Sequence, residues 1–416
     1  MAEGERTVGW YAVAGLDARK GAEGYWVLGL STRTVPARSH YDRSDETGMI
    51  FVGFLLFFDT LKEGIGDTIR DLAGLGIAVK IITGDNRFVA AHVAEAIGLD
   101  AKRMLTGAQL NRIKDEALWH LAETTHLFVE VDPQQKEWIV RALQRRGHAV
   151  GFMGDGINDA PALHVADVGV SVDQAADVAR ESADVVLLRR DLNVLKSGVL
   201  GGRRTFANTL KYIAITTSAN FGNMVSMALA TLFVPFLPLL PKQILLNNFV
   251  SDFPSIAIST DNVDPEVSEG AQRWSIASVR RFMVVFGLVS TAFDLLTFVV
   301  LLKAFGAGEA LFQSTWFVVS LLTEVAVVLV LRTHLPCFRS RPSRLLIAST
   351  LVVGIVALTL PFLPPVARVF DFVPLPWPLF AAAIFIVLLY VAATELIKRQ
   401  FYGAPVRAQP GAASTL

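Results

Sequence analysis

The stretch Gly154–Leu163, GDGINDAPAL, places two carboxylates, Asp155 and Asp159, in a turn punctuated by glycine. The apolar segment before it, HAVGFM at 148–153, reads as a buried strand of a parallel sheet. Gly154 and Gly156 permit backbone angles that bulkier residues resist. Open α/β sheets bind ligands at the carboxyl ends of their strands. Two hard oxygen donors four residues apart at such a turn suit Mg²⁺ together with phosphate.

Working outward, apolar runs at 25–30 and 49–58 read as strands, and the spacing of Ile65, Ile69, Leu72 and Leu75 predicts a helix over 62–75. A strand at 79–82 ends in Thr83-Gly84-Asp85-Asn86, and a helix follows over 87–97. Another strand at 127–131 leads into Asp132-Pro133, the start of a helix carrying Lys136. Strands at 168–172 and 185–188 close the segment. This alternation predicts an α/β fold with a doubly wound parallel sheet. Three groups then fall at carboxyl ends of strands: Thr83 with Gly84 and Asp85, Lys136, and Asp155 with Gly156, Asn158 and Asp159. A hydroxyl to hold a phosphoryl oxygen, a lysine to neutralise developing charge and carboxylates to hold Mg²⁺ form a phosphoryl-transfer set. In this order they resemble the haloacid-dehalogenase-like phosphotransferase core. That core also requires a nucleophilic aspartate after its first strand. Asp59 is the candidate by position, but Asp59-Thr60-Leu61-Lys62 lacks the second acid, two residues on, that a soluble phosphatase of this class uses.

The 416 residues carry no formal net charge; 52% are hydrophobic and 18% charged, which is apolar for a soluble protein. The excess lies in the second half. A single cysteine, Cys337, excludes a disulfide framework within the chain. The first residues lack the pattern of a signal peptide. No basic stripe interleaved with aromatics points to nucleic acid. Residues 1–48 are expected to be a remnant of another domain and its link, 49–205 the α/β domain, 206–400 a membrane domain, and 401–416 a disordered tail.

Six apolar stretches, near 210–234, 243–260, 281–302, 314–331, 345–362 and 377–397, predict an all-α membrane domain of six transmembrane helices. Basic residues concentrate in alternate loops. The positive-inside rule therefore expects a multi-pass protein of the plasma (inner) membrane, with the soluble half and the C-terminus cytoplasmic. Polar residues interrupt these stretches. Asn220 and Asn223 share one helix face, and Asn248 and Asp252, four apart, share another. Pro254 removes a backbone donor and can open its helix. A carboxylate at the bilayer centre costs at least about 2.5–3.5 kcal/mol, so oxygen donors on two adjacent spans suit a cation cage; hydrogen-bonded glue between helices is the alternative. Asp294 and Glu324 are further intramembrane acids whose role the spacing leaves open.

A phosphotransfer core followed by six spans, with TGDN at 83–86, DPQQK at 132–136, GDGINDAPAL and Asn248-xxx-Asp252, resembles the P-type ATPases over residues 20–400. STDNVDPE at 259–266, FDLLTF at 293–298, the run 311–333 and PLPW at 374–377 resemble the bacterial magnesium-importing branch. The family's Asp-Lys-Thr-Gly-Thr phosphorylation motif, its Thr-Gly-Glu motif and its first four spans are not in this sequence. The resemblance therefore implies the C-terminal portion of a cation pump: a fragment, a split gene product or a truncated reading frame, incomplete as a catalyst alone. It further implies that residues 1–48 are a remnant of the nucleotide-binding domain and its link, and that the ATP site lies largely outside this chain. Thr83 and Lys136 would meet the phosphoryl group, and Asp85 would lie near nucleotide and metal. Asp155 would hold catalytic Mg²⁺, with Asp159 and Asn158 ordering that loop. Asn220, Asn223, Asn248 and Asp252 would hold the transported cation, a divalent ion and by resemblance Mg²⁺. Implied partners are membrane lipid and an N-terminal pump half. A calcium or other cation pump, a membrane-anchored phosphatase using Asp59, and a regulatory partner are the competing readings.

Overall fold

The computed structural model describes residues 6–11, 19–34, 47–58, 60–189, 191–265, 267, 270 and 272–403. Asp59 and the tail beyond 403 lie outside the described residues. The chain divides into two compact units, Met1–Gly198 and Val199–Leu416.

Among the described residues the first unit holds three three-stranded sheets. Strands β1 (Arg6–Tyr11), β2 (Tyr25–Thr34) and β3 (Ile50–Phe58) pair antiparallel, so the first strands do not join one doubly wound parallel sheet as expected. After helix α1 (Ile65–Gly74), parallel pairing begins. Strands β4 (Ile81–Ile82), β5 (Met104–Thr106) and β6 (Leu127–Val129) form a parallel sheet in the order β4-β6-β5. Strands β7 (Gly151–Met153), β8 (Val168–Val172) and β9 (Val185–Leu187) form a second in sequence order. Leu127, Phe128 and Val129 are wholly buried, because a central parallel strand is covered on both faces. Strand β5 escaped the sequence reading: three residues give too short a pattern to separate from a loop. Helices α2 (Arg87–Ala96), α3 (Asp115–Thr124) and α4 (Pro133–Arg145) supply the packing. Ile139 and Val140 on α4 belong to two neighbouring apolar clusters, and Ile82 packs against both.

The second unit is helical. Helix α5 (Leu192–Ala230) enters it and α6 (Pro241–Ala257) follows. Then come α7 (Ile276–Val299, continued by a π-helical turn to Ala304), α8 (Glu309–Leu331), α9 (Arg344–Thr359) and α10 (Trp377–Gly403). Four helical stretches among the described residues, Ile276–Ala304, Glu309–Leu331, Arg344–Phe362 and Trp377–Gly403, are long and apolar enough to cross a membrane. The first two of the six expected spans fall on α5 and α6, which are not among them. The physical reason is legible in their composition: Asn220 and Asn223 interrupt α5, while the 17 residues of α6 include Asn247, Asn248, Ser251 and Asp252. Apolar side chains such as Leu351, Ile355, Phe385 and Leu388 lie exposed on α9 and α10. Helix α8 is the enclosed centre: Phe312, Trp316, Phe317 and Leu321 are at most 1% exposed. Helices α5 and α7 approach closely at Gly222 and Gly287. A Cβ on Gly222 would stand 3.0 Å from the Gly287 carbonyl oxygen, the small-residue contact that lets helix backbones meet.

Candidate functional sites

In the first unit the expected site residues follow strands β4, β6 and β7. The Thr83 N–H donates to the Phe128 carbonyl at 2.9 Å, and its own carbonyl accepts from the Val131 N–H at 3.2 Å. The turn is thereby fastened to the end of β6. Thr83 Oγ1 accepts from the Asp85 N–H at 3.1 Å, so the hydroxyl holds the Thr-Gly-Asp turn in shape. Beside it, Glu130 adopts a left-handed backbone conformation with φ 56, and its N–H donates to the Asp85 carbonyl at 3.1 Å. Both Glu130 carboxylate oxygens accept from the Arg87 guanidinium at 2.9 Å. That pair, hydrogen-bonded and coulombic, holds the Glu130 carboxyl below its ordinary range.

Lys136 reaches its position through a capped helix start. The Asp132 carboxylate accepts from the Gln135 N–H at 2.8 Å, and the Gln135 side chain accepts from the Asp132 N–H at 3.0 Å. Pro133 fills the first turn, where its missing N–H is harmless. One residue on, Lys136 Nζ donates to Asp159 Oδ1 at 2.7 Å, and both side chains are mostly buried. The other Asp159 oxygen accepts from the Gly156 N–H at 3.1 Å. A Cβ at Gly154 would lie 2.5 Å from that of Asp159, so the glycine is required by close approach. The Ser171 hydroxyl on β8 donates to the Gly154 carbonyl at 2.9 Å, and the Ala176 N–H to the Asp155 carbonyl at 3.0 Å. Asp155 and Asn158 are exposed at the turn. The structure therefore joins Lys136 directly to Asp159, a pairing across 23 positions that sequence spacing does not announce.

In the second unit a cavity of about 320 Å³ opens between α5, α6 and α8. Tyr212, Thr216, Asn220, Asn248, Ser251, Asp252 and Glu324, all with oxygen in their side chains, line it. Three of the four expected cation ligands thus line one space. Asn223 faces the same carboxylate from α5: its amide donates to Glu324 Oε1, and the Asn247 amide donates to the same oxygen at 3.1 Å. The Asn247 carbonyl oxygen is buried without a partner. Asp294 lies apart from this wall, accepting from the Ser226 hydroxyl at 2.5 Å and the Trp316 indole N–H at 2.9 Å. The two undecided acids therefore separate: Glu324 joins the cavity, and Asp294 ties α7 to α5 and α8. Asn247 and Glu324 could have been found from sequence only by knowing which faces of α6 and α8 meet. Among the described residues, no three His, Cys, Asp or Glu side chains form a metal cluster by themselves. A cation here would draw on amide and hydroxyl oxygens beside the carboxylates, the donor set of hard cations.

Two family models match the chain. The haloacid dehalogenase-like hydrolase model matches residues 23–167, and the model of the cation transporting ATPase C-terminus matches residues 236–400. The chain is 46% identical over 382 residues to a magnesium-transporting ATPase, P-type 1, of Salmonella typhimurium, covering 90% of this chain and 42% of that protein. It is 45% identical over the same length to its counterpart in Escherichia coli K12, again with 90% and 42% covered. A calcium-transporting ATPase of Bacillus subtilis is 29% identical over 348 residues, covering 80% of this chain and 39% of the relative. The chain thus spans about two fifths of the length of the curated relatives it matches.

Proposed function

We propose, from the premise that this chain belongs to the P-type cation-transporting ATPases, that it supplies the ion cavity and part of the phosphoryl-handling site of an ATP-driven Mg²⁺ pump. The observation that carries this reading is the cavity shared by Asn220, Asn248, Ser251, Asp252 and Glu324. It sets hard oxygen donors among helices that the apolar remainder of the unit suits to a bilayer. The 46% identity to a magnesium-transporting ATPase, against 29% to a calcium-transporting one, favours Mg²⁺ as cargo.

Helices α5 and α6 are then two further spans, making six. Helix α5, 39 residues long, misses the hydropathy of a simple span and α6, 17 residues long, falls short of its length, because both wall the ion path, where polar residues are shielded from lipid by their neighbours. The basic loops orient the first unit and the C-terminus toward the cytoplasm. In the first unit, Lys136 neutralises charge on the phosphoryl group, and the Thr83 turn positions a phosphoryl oxygen. Asp159 holds the lysine at the turn. The exposed oxygen donors of that turn fit a Mg²⁺, which Asp155 would hold and which would supply charge neutralisation to phosphoryl transfer.

The same reading assigns a partner. Parallel sheets are normally covered at their faces and continuous across their width. Here β4 and β7 are end strands of separate parallel sheets, and Gly151 and Met153 are exposed. A strand from the remainder of the pump, carrying the phosphorylated aspartate absent from this sequence, would pair there.

The test joins residues 20–416 to the N-terminal half of a magnesium-transporting relative and measures Mg²⁺-dependent growth of a transport-deficient host. Rescue that Asp252→Asn abolishes is the expected result. Rescue unaffected by Asp252→Asn removes that residue from the path. Transport of Ca²⁺ in place of Mg²⁺ overturns the cargo assignment.

A further inference from the structure

Below the cavity the second unit buries a group of charges that the proposed transport chemistry does not use. Asp261 and Arg332 both have side chains with no exposure. The Arg332 guanidinium donates to the two Asp261 oxygens at 3.2 and 3.1 Å and to the Ser340 carbonyl at 2.6 Å. The Ser343 N–H donates to Asp261 Oδ1 at 3.0 Å, and Lys211 Nζ to Oδ2 at 3.2 Å. The Asp261 backbone carbonyl accepts from the Asn208 amide at 2.9 Å. Asp264 adds a second tie, accepting from the Thr333 hydroxyl at 2.7 Å. The end of α8 is further held by Lys398, buried and donating to the Val330 and Leu335 carbonyls at 2.9 and 2.8 Å.

Three of these residues, Lys211, Asp261 and Arg332, stand on or just past the ends of the three helices that wall the cavity. Lys211 precedes Asn220 by nine positions on α5. Asp261 follows Asp252 by nine positions beyond α6, and Arg332 follows Glu324 by eight at the end of α8. At a helical rise of 1.5 Å the intervals on α5 and α8 are about 12–14 Å, and from Asp252 the chain runs through the end of α6 and a 3-10 turn, Ile258–Thr260, to Asp261, so one clasp lies beyond the same end of all three walls. A wholly buried charge pair is poor evidence of net stability, since desolvation offsets attraction, but it tolerates few geometries. Sliding α8 by one turn along α6 would strand Arg332 away from Asp261 and would lift Glu324 out of level with Asp252.

We propose that Asp261 and Arg332 are positioning residues for cation binding: their clasp sets the axial register of α5, α6 and α8, so that Asp252 and Glu324 face one ion. The inference rests on the reading of the cavity as the Mg²⁺ site, and the experiment separates the two. The full 416-residue chain, in lipid nanodiscs, is titrated with Mg²⁺ by calorimetry, with helix content and thermal midpoint followed in parallel. The unsubstituted chain binds Mg²⁺ and Asp252→Asn loses it; absence of binding, or binding indifferent to Asp252→Asn, overturns the cavity reading and the clasp with it. Given that binding, Arg332→Met is expected to weaken it at least ten-fold while helix content is kept. Should Arg332→Met fail to assemble, the isosteric Asp261→Asn serves, with the same expectation. The double variant Asp261→Asn with Arg332→Gln, which keeps a hydrogen-bonded neutral pair, is expected to recover affinity to within three-fold. Wild-type affinity in either single variant, or a double variant no better than the single ones, overturns the proposal and leaves the cavity reading standing.

Discussion

Lys136 and Asp159 show what a single contact contributes at the first site. The pair is mostly buried, so removing the lysine leaves a carboxylate with one fixed donor, the Gly156 N–H. Lys136→Met is expected to destabilise the first unit by about 2–3 kcal/mol, the loss of a charged hydrogen bond. In the joined pump it should also lower ATP hydrolysis by about 100-fold or more, as loss of a preorganised charge does; a coupled ATPase assay and denaturant melts read the two effects. Titration offers a second check. Burial, reinforced by the Lys80 and Arg103 charges, depresses the His126 pKa below its ordinary 6.5, and His126 Nδ1 has no hydrogen-bond partner. Between the folded value and 6.5 the unfolded chain binds more protons, so stability rises with pH across that window. The Arg87 contact likewise depresses Glu130, and the Arg146 and His148 contacts depress Glu123, which adds a further loss of stability as pH falls below about 4.5. Denaturation midpoints of the first unit measured from pH 7.5 to 4 are therefore expected to fall in two stages, with His126→Gln flattening the upper one.

At the scale of elements, two close approaches depend on glycine for different reasons. Gly154 lies so near Asp159 that a methyl group must displace the carboxylate. Gly154→Ala is expected to cost about 1–3 kcal/mol, as overpacking does, and to weaken the Lys136 contact with it. Gly222 lets α5 meet α7: a Cβ there would stand 2.9 Å from that of Ser290 as well as 3.0 Å from backbone. Gly222→Ala should therefore lower the thermal midpoint of the second unit in detergent, whereas Gly354→Ala, where nothing stands within 4 Å, should not. The helices themselves divide by how they announce their burial. Helices α7 to α10 are apolar enough to be read as spans from composition. Helices α5 and α6 are less so because Asn220, Asn223, Asn248 and Asp252, the proposed cation ligands, lower their hydropathy.

At the scale of the whole molecule, the sequence holds the turns proposed to handle phosphate but no Asp-Lys-Thr-Gly-Thr to accept it. The purified chain is expected to take up no label from γ-labelled ATP at any Mg²⁺ concentration. Coexpression with a polypeptide bearing that motif should restore an acid-stable, hydroxylamine-sensitive phosphoenzyme; its absence under coexpression would count against assembly from two halves. Order along the chain made the succession of an α/β unit and a helical unit readable. The divisions within the first unit were not readable, because strands of two or three residues carry no period.

The sequence by itself determined which chemistry is present: turn glycines, carboxylates, a capped lysine and amide-bearing helices each declare themselves through local rules of backbone freedom, capping and periodicity. Tertiary structure alone decided which of them meet. Lys136 closes on Asp159, Glu324 rather than Asp294 joins the Asp252 cavity, and Asp261 locks to Arg332, because each contact depends on how separate elements are rotated and registered in packing. No local pattern encodes that rotation; it is selected by the burial of apolar faces and the pairing of buried charges across the whole unit.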